Sequence, residues 1–247
     1  MSGCARIHIA CGRFFFKYRN NLFPVVFLLA MLFLRPAIIF GDPRLDRLLT
    51  SLGPLVALAG EMVRLATIGF DYIDRGGKNK QVAASRLVSG GVYSICRNPM
   101  YVGNLLIATG LVMVAGSPMV YLLVIPFFLF VYLAITSNEE SFLRERFGRE
   151  YEEYCARVGR FVPSFKGVSA SAFTGMRYDW KRSIRQDLST ILTVSMSLIF
   201  LPVWRVYFLW GHRAAFSILP GRLCAAVAVG GCYGILVYFK KQKKLFY

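Results

Sequence analysis

Arg97-Asn98-Pro99-Met100-Tyr101 and Glu139-Glu140 stand at the two ends of the stretch RNPMYVGNLLIATGLVMVAGSPMVYLLVIPFFLFVYLAITSNEE, residues 97–140, whose reading decides the fold. Two apolar runs fill it, Tyr101 to Gly116 and Met119 to Thr136, broken only by Gly116-Ser117-Pro118. As helices these arms reach about 24 and 27 Å, close to a hydrocarbon core of roughly 30 Å. A tight Gly-Ser-Pro turn joins antiparallel neighbours, so the chain enters and leaves on one membrane face. An arginine, an asparagine, a tyrosine and two glutamates are thereby predicted to meet at one membrane surface, forming a polar pocket with lipid beside it.

The rest of the chain fits the same environment. Of 247 residues, 56% are hydrophobic and only 17% charged, with a mean hydropathy of +0.50. Soluble domains carry about 25% charged residues. The sequence therefore predicts an all-α, multi-pass membrane protein with six apolar runs: Leu22–Phe40, Leu52–Phe70, Tyr101–Gly116, Met119–Thr136, Leu188–Trp210 and Ser217–Phe239. The first run is long, contains Arg35 and lacks a small-residue cleavage site, so it reads as a span rather than a cleavable signal. Three regions follow: membrane helices and a loop at 1–85, a core of hairpin plus amphipathic helix at 86–165, and a linker with two further helices at 166–247.

The net charge of +17 is organised by topology. Segments 1–21, 71–100, 137–187 and 240–247 hold 23 of the 30 Lys and Arg, whereas the loops at 41–51 and 211–216 hold only Arg44, Arg47 and Arg213. Basic residues gather on the cytoplasmic side, which predicts cytoplasmic termini and cytoplasmic hairpin feet. Attraction to anionic membrane lipids accounts for the remaining charge, so no nucleic-acid partner is expected. Six cysteines form no CxxC pair, and His8 and His212 lie far apart. Neither a metal site nor a Ser/His or Cys/His nucleophile is expected.

Between the runs, Gly76-Gly77 and Gly90-Gly91 suit a bent connection over a site. Leu143, Phe147, Tyr151, Tyr154 and Val158 recur at helical spacing, predicting one amphipathic surface helix over Glu139 to Val158 with arginines for the headgroups. Residues 159–187 read as a polar linker, and Lys240-Lys241-Gln242-Lys243-Lys244 holds the end inside. Gly230 and Gly234 have the spacing of a helix-packing contact. Glu61 and Arg64, three apart in the second run, form either a paired structural couple or a functional intramembrane group.

At the hairpin feet, plainer explanations exist for each cluster alone. Asn98-Pro99 suits a helix start, Arg97 and Tyr101 suit interfacial anchors, and Glu139-Glu140 suits the first turn of a new helix. Together they describe a ligand with a carboxylate for an arginine fork, an ammonium or hydroxyls for glutamates, and a flat ring for an aromatic. S-adenosylmethionine carries all of these. No GxGxxG follows a strand, so such a cofactor must sit in the helical hairpin itself.

Gly91-Val92-Tyr93, Arg97-Asn98-Pro99-Met100-Tyr101, Gly103, Glu139-Glu140, Leu143, Phe147-Gly148, Tyr151, Tyr154, Val158, Arg160-Phe161 and Pro163 resemble the integral-membrane methyltransferase family. That family includes isoprenylcysteine carboxyl methyltransferases and phospholipid N-methyltransferases. The resemblance covers Gly91 to Pro163. It implies binding of S-adenosylmethionine by Tyr93, Arg97, Pro99, Tyr101, Gly103, Glu139 and Glu140, with Arg97, Asn98, Tyr101 and Glu140 at the chemistry. A lipid or small hydrophobic acceptor would approach from the bilayer. Asn98 stands where the family often has histidine, so no histidine-dependent step carries over, and Val92 replaces a proline. A carboxylate acceptor needs no base, whereas an amine must lose a proton, to Glu139, Glu140 or Tyr101. The rival readings are a sterol-reductase-like enzyme using NADPH and a non-enzymatic transporter or scaffold.

Overall fold

Pro99 at the first helical turn and Gly116 in the left-handed region (φ 60°) bound α3, Pro99–Ala115. The Gly116 N–H closes on the Val112 carbonyl, and Pro118 then starts α4, Pro118–Phe147. These are the two predicted arms. The computed structural model of the chain describes residues 3–70, 84, 86–165 and 170–242. Before the hairpin come α1 (Gly3–Phe33) and α2 (Pro43–Phe70); after it come α5 (Arg149–Arg157) and α6 (Trp180–Lys241). No strand occurs among the described residues.

Helix α2 packs along α3, α1 along α4, and α6 against α2 and α3. Small residues permit the closest approach. Gly53, Ala57 and Gly60 face Gly103 and Gly110 at matching one-turn steps, and a β-carbon on Gly60 would sit 2.6 Å from the Gly103 carbonyl oxygen. Such small-residue seams let backbones meet where lipid offers no hydrophobic drive. The α1–α4 contact combines a close approach of Gly12 to the Ala134 backbone with aromatic packing of Phe23 on Phe128 and Tyr132.

Three sequence expectations change. The predicted surface helix from Glu139 to Val158 is two helices. Glu139 and Glu140 lie inside α4, which continues past Pro126 until Gly148 (φ 49°) turns the chain into α5. They are not the first turn of a new helix. The basic lead-in at 1–21 is not a separate segment, because α1 runs unbroken from Gly3 into the first apolar run. The predicted linker ends early: Asp179 caps the Arg182 N–H at 2.9 Å, so 180–187 are the first turns of α6. Arg182 also donates to the Ile68 and Gly69 carbonyls at 3.1 and 2.9 Å, covering the end of α2.

Helices α2, α4 and α6 are long and apolar enough to cross a membrane, and Leu22–Phe33 and Pro99–Ala115 are shorter apolar helices. Within α6, Gly211 (φ 83°, ψ 178°) breaks the helix into two arms. Lys240 Nζ donates to the Arg185 carbonyl at 3.1 Å, so the arms fold back on each other. Gly91 (φ 56°) bends the chain into a short 3-10 turn, Gly91–Ser94, as the glycine pair predicted. Gly76-Gly77, Lys243 and Lys244 lie outside the described residues.

Candidate functional site

The reversal at Gly148 lays Tyr151, Tyr154 and Val158 back on Leu143 as a small core beside the foot of α4. That core fixes the segment leading into α3. The Tyr154 hydroxyl donates to the Tyr93 carbonyl at 2.7 Å, the Arg97 N–H to the Gly159 carbonyl at 2.9 Å, and the Ser164 N–H to the Ile95 carbonyl at 2.9 Å. Asn98 is the residue before α3, yet its side chain makes no cap. Its amide donates to the Arg160 carbonyl at 3.1 Å.

Two adjacent glutamates then serve two different environments. Glu140, 3% exposed, accepts a fork from Arg160, with Nε at 3.0 Å from Oε1 and Nη2 on Oε2, and lies 3.3 Å from Arg97 Nη1. Arg97 also donates to Cys155 Sγ at 2.5 Å, while its Nε is buried without a hydrogen-bond partner. Burial works against the Arg97 charge, but Glu140 overrides it and holds the guanidinium above its ordinary value. Burial, reinforced by the Glu140 charge, pushes the Tyr151 hydroxyl up, and burial pushes the Cys96 thiol up. The cluster contains two guanidiniums and one carboxylate.

Glu139, 2% exposed, sits about a third of a turn around α4 from its neighbour and faces a cavity of about 860 Å³. It accepts from the Tyr101 hydroxyl at 2.6 Å, and that hydroxyl accepts from Arg19 Nη1 at 3.1 Å. The Tyr101 ring lies 5.2 Å from Tyr132. Tyr93 and Asn98 border the same end of the cavity, whose walls elsewhere are mainly apolar. The expected single pocket is therefore two neighbouring groups, Arg97 with Glu140 and Tyr101 with Glu139. Pro99 is buried at the start of α3, and Gly103 packs on Gly60 and Arg64 at the α2–α3 seam.

A second polar group crosses the cavity wall. Arg64 Nε donates to Asp187 Oδ2 at 3.0 Å and Nη2 to its Oδ1, while Nη1 reaches Asn104 and Nη2 reaches Thr190 at 3.2 Å. The Glu61–Arg64 couple is thus replaced by a bidentate pair with α6, and both Glu61 oxygens lack a hydrogen-bond partner. Sequence reasoning missed Arg19, read only as topology charge, and Asp187, placed in a linker. An acid in a run of helical spacing before Leu188 was the available signal for Asp187. Among the described residues no three His, Cys, Asp or Glu gather as a metal site.

Comparison with known proteins gives a consistent neighbourhood. The phospholipid methyltransferase family matches residues 48–150. The cobalt-zinc-cadmium resistance protein CzcN of Cupriavidus metallidurans is 34% identical over 159 residues, 62% of this chain and 68% of that protein. The "Probable protein-S-isoprenylcysteine O-methyltransferase" of Oryza sativa subsp. indica is 31% identical over 138 residues, 53% of this chain and 69% of that protein. The protein-S-isoprenylcysteine O-methyltransferase of Saccharomyces cerevisiae is 33% identical over 134 residues, 51% of this chain and 53% of that protein. No solved structure matches.

Proposed function

The chain belongs to the integral-membrane methyltransferase family of phospholipid and isoprenylcysteine methyltransferases, and on that premise we propose that it methylates a carboxylate on a lipid-borne or small hydrophobic acceptor, using S-adenosylmethionine at the cytoplasmic face. The cytoplasmic placement and a six-span topology with both termini inside draw support from the 23-to-3 distribution of basic residues. Helix α5, with Arg149 and Arg157, and the last turn of α4, with Arg144 and Arg146, would then rest on the headgroups.

The residues at the feet suit the methyl donor. Arg97 and Arg160 around Glu140 leave one surplus positive charge, and Arg97 Nε is a buried donor without a partner. Arg97 and Arg160 would hold the donor's carboxylate through these N–H groups, and Glu139 supplies negative charge for its cationic part. When bound, S-adenosylmethionine supplies a methyl group already activated on sulfur. The protein's remaining work is alignment and exclusion of water. Helices α1, α3 and α4 close around Tyr101, which is only 8% exposed, and keep that end of the cavity dry.

One observation carries the choice of a carboxylate acceptor. Arg19 bonds the Tyr101 hydroxyl and lies over the Phe16 ring, 4.6 Å from its centroid, but pairs with no acid among the described residues. Its remaining N–H groups suit an anionic head, while the apolar wall suits a tail. An amine acceptor is the second reading, favoured by the 2.6 Å Tyr101–Glu139 bond, which could receive a proton. The test is transfer of labelled methyl to amphiphilic carboxylates and amines by purified protein in micelles. Arg19→Gln should lower kcat/KM for carboxylates by about tenfold or more and leave S-adenosylmethionine affinity unchanged. Turnover of amines alone, insensitive to Arg19→Gln, would defeat the carboxylate reading.

A further inference from the structure

Helix α6 lies outside the residues matched by the phospholipid methyltransferase family, yet it forms one wall of the cavity. Asp187 and Thr190 anchor it to Arg64 at one level, and Arg205 anchors it to Asp46 at 2.6 Å near the opposite end of α2. Helix α1 packs mainly on α4, and among the described residues it does not pack along α6. The cavity runs into the seam between them, with Pro24 and Leu28 on one side and Thr193 and Ser197 on the other.

Two of these lining residues are also open to the outside: Leu28 is 59% exposed and Thr193 is exposed. Residues that line an interior space and are accessible from outside mark its mouth. The seam is bounded rather than split. Phe27 and Met31 pack against the core cluster in which Ala57, Ile107, Leu111 and Val114 of α2 and α3 meet Val194 and Leu201 of α6, and Arg35 lies over the Phe208 ring. At the other end, Arg19, Tyr101 and Glu139 close the space. The Thr193 hydroxyl donates to the Ser189 carbonyl at 2.9 Å, so a hydrocarbon chain in the mouth strands no hydrogen of that group.

Resting on the methyltransferase reading, we propose that this α1–α6 seam is the doorway through which the acceptor's hydrocarbon tail lies, with Leu28 and Thr193 as its specificity-determining residues. The head sits toward Arg19 and the tail leaves through the seam into the bilayer. A cavity open at this point does not limit tail length, so acceptors longer than the cavity are turned over as well as those that fit within it. The occupant is an amphiphile whose head meets Arg19, because that cation lies at one end of the space and the opening at the other. The C-terminal helix pair thereby becomes part of the acceptor site rather than an added anchor.

Filling the mouth tests this. Both positions are exposed, so Leu28→Trp and Thr193→Trp should fold, and Val227→Trp, 75% exposed on the far arm of α6, serves as control. Acceptors are a long-chain carboxylate and its short, water-soluble homologue with the same head. Either doorway variant should raise KM for the long acceptor by about tenfold, with kcat and the short acceptor's kcat/KM within about twofold of wild type. Equal effects on both acceptors, or none on either, would overturn the proposal. A diazirine-bearing fatty acid should photolabel Phe23–Met31 and Thr190–Ser197 in unmodified protein, and label confined to other helices would also overturn it. Absence of methyl transfer to any acceptor would count against the methyltransferase reading instead, and the photolabelling would still decide the doorway.

Discussion

Asp187→Asn removes the countercharge of a guanidinium that ties α6 to α2. Asp187 is 1% exposed and Arg64 12%, so the pair is desolvated on both sides. Removing one partner of a buried pair costs about 3–5 kcal/mol when the surviving charge has no alternative. Here it has several. The asparagine keeps one carbonyl for Arg64, and Asn104 and Thr190 still accept from it. Glu61 lies three residues from Arg64 on the same face, within electrostatic reach of both Arg64 and Asp187, while the Arg64 N–H groups are taken by Asp187, Asn104 and Thr190. The expected loss is therefore about 2 kcal/mol for Asp187→Asn. At about 2–4 °C per kcal/mol for a chain of this size, that is roughly a 4–8 °C fall in Tm. Glu61→Gln alone should cost little, because its carboxylate balances no charge while Asp187 is present. The double variant should reach about 3–5 kcal/mol, more than the sum of the singles, because the fallback is gone. Thermal unfolding in micelles, monitored by circular dichroism, measures all four proteins. A double variant equal to the sum of its parts, or an Asp187→Asn protein within about 0.5 kcal/mol of wild type, would refute the reasoning.

Glu140→Gln and Glu139→Gln should behave differently although adjacent. The first leaves Arg97 and Arg160 without their shared countercharge, so stability should fall by about 2–4 kcal/mol and S-adenosylmethionine affinity should change with it. The second keeps an acceptor for Tyr101 but removes the charge facing the donor's cationic part, so S-adenosylmethionine affinity and turnover should fall with a Tm shift under about 3 °C. Paired melting curves and cofactor titrations separate them. Gly60→Ala should destabilise by about 1–3 kcal/mol, because the new methyl meets the Gly103 carbonyl and the α2–α3 seam must widen; chemical denaturation reads the change. Cys96 should resist maleimide at neutral pH, since burial raises its thiol and depletes the reactive thiolate. Raising the pH should increase Cys96 labelling, measured by mass spectrometry of peptides, and early labelling at neutral pH would contradict its packing.

Much was legible from one dimension because lipid imposes simple rules. Apolar length, a Gly-Ser-Pro break and the placement of basic residues specify helices and a hairpin without knowledge of their neighbours. Pro99 and Gly116 mark their own helix ends, since proline and a left-handed glycine act locally. The family could be read because Arg97 through Tyr101 and Glu139-Glu140 keep their order and spacing. Partnership was decided only by tertiary structure. Glu139 and Glu140 are consecutive, and it is the roughly 100° step of α4 that sends one to Tyr101 and the other to Arg97 and Arg160. Glu61 stands three residues from Arg64, yet Arg64 takes Asp187, which lies 123 residues away, because α6 docks on that face and offers both oxygens in the plane of the guanidinium. Arg19 joins the site through the aromatic packing of α1 on α4. Spacing along a chain fixes which residues share a helix face, whereas charge pairing across helices depends on their relative rotation and depth, which only the packed fold determines.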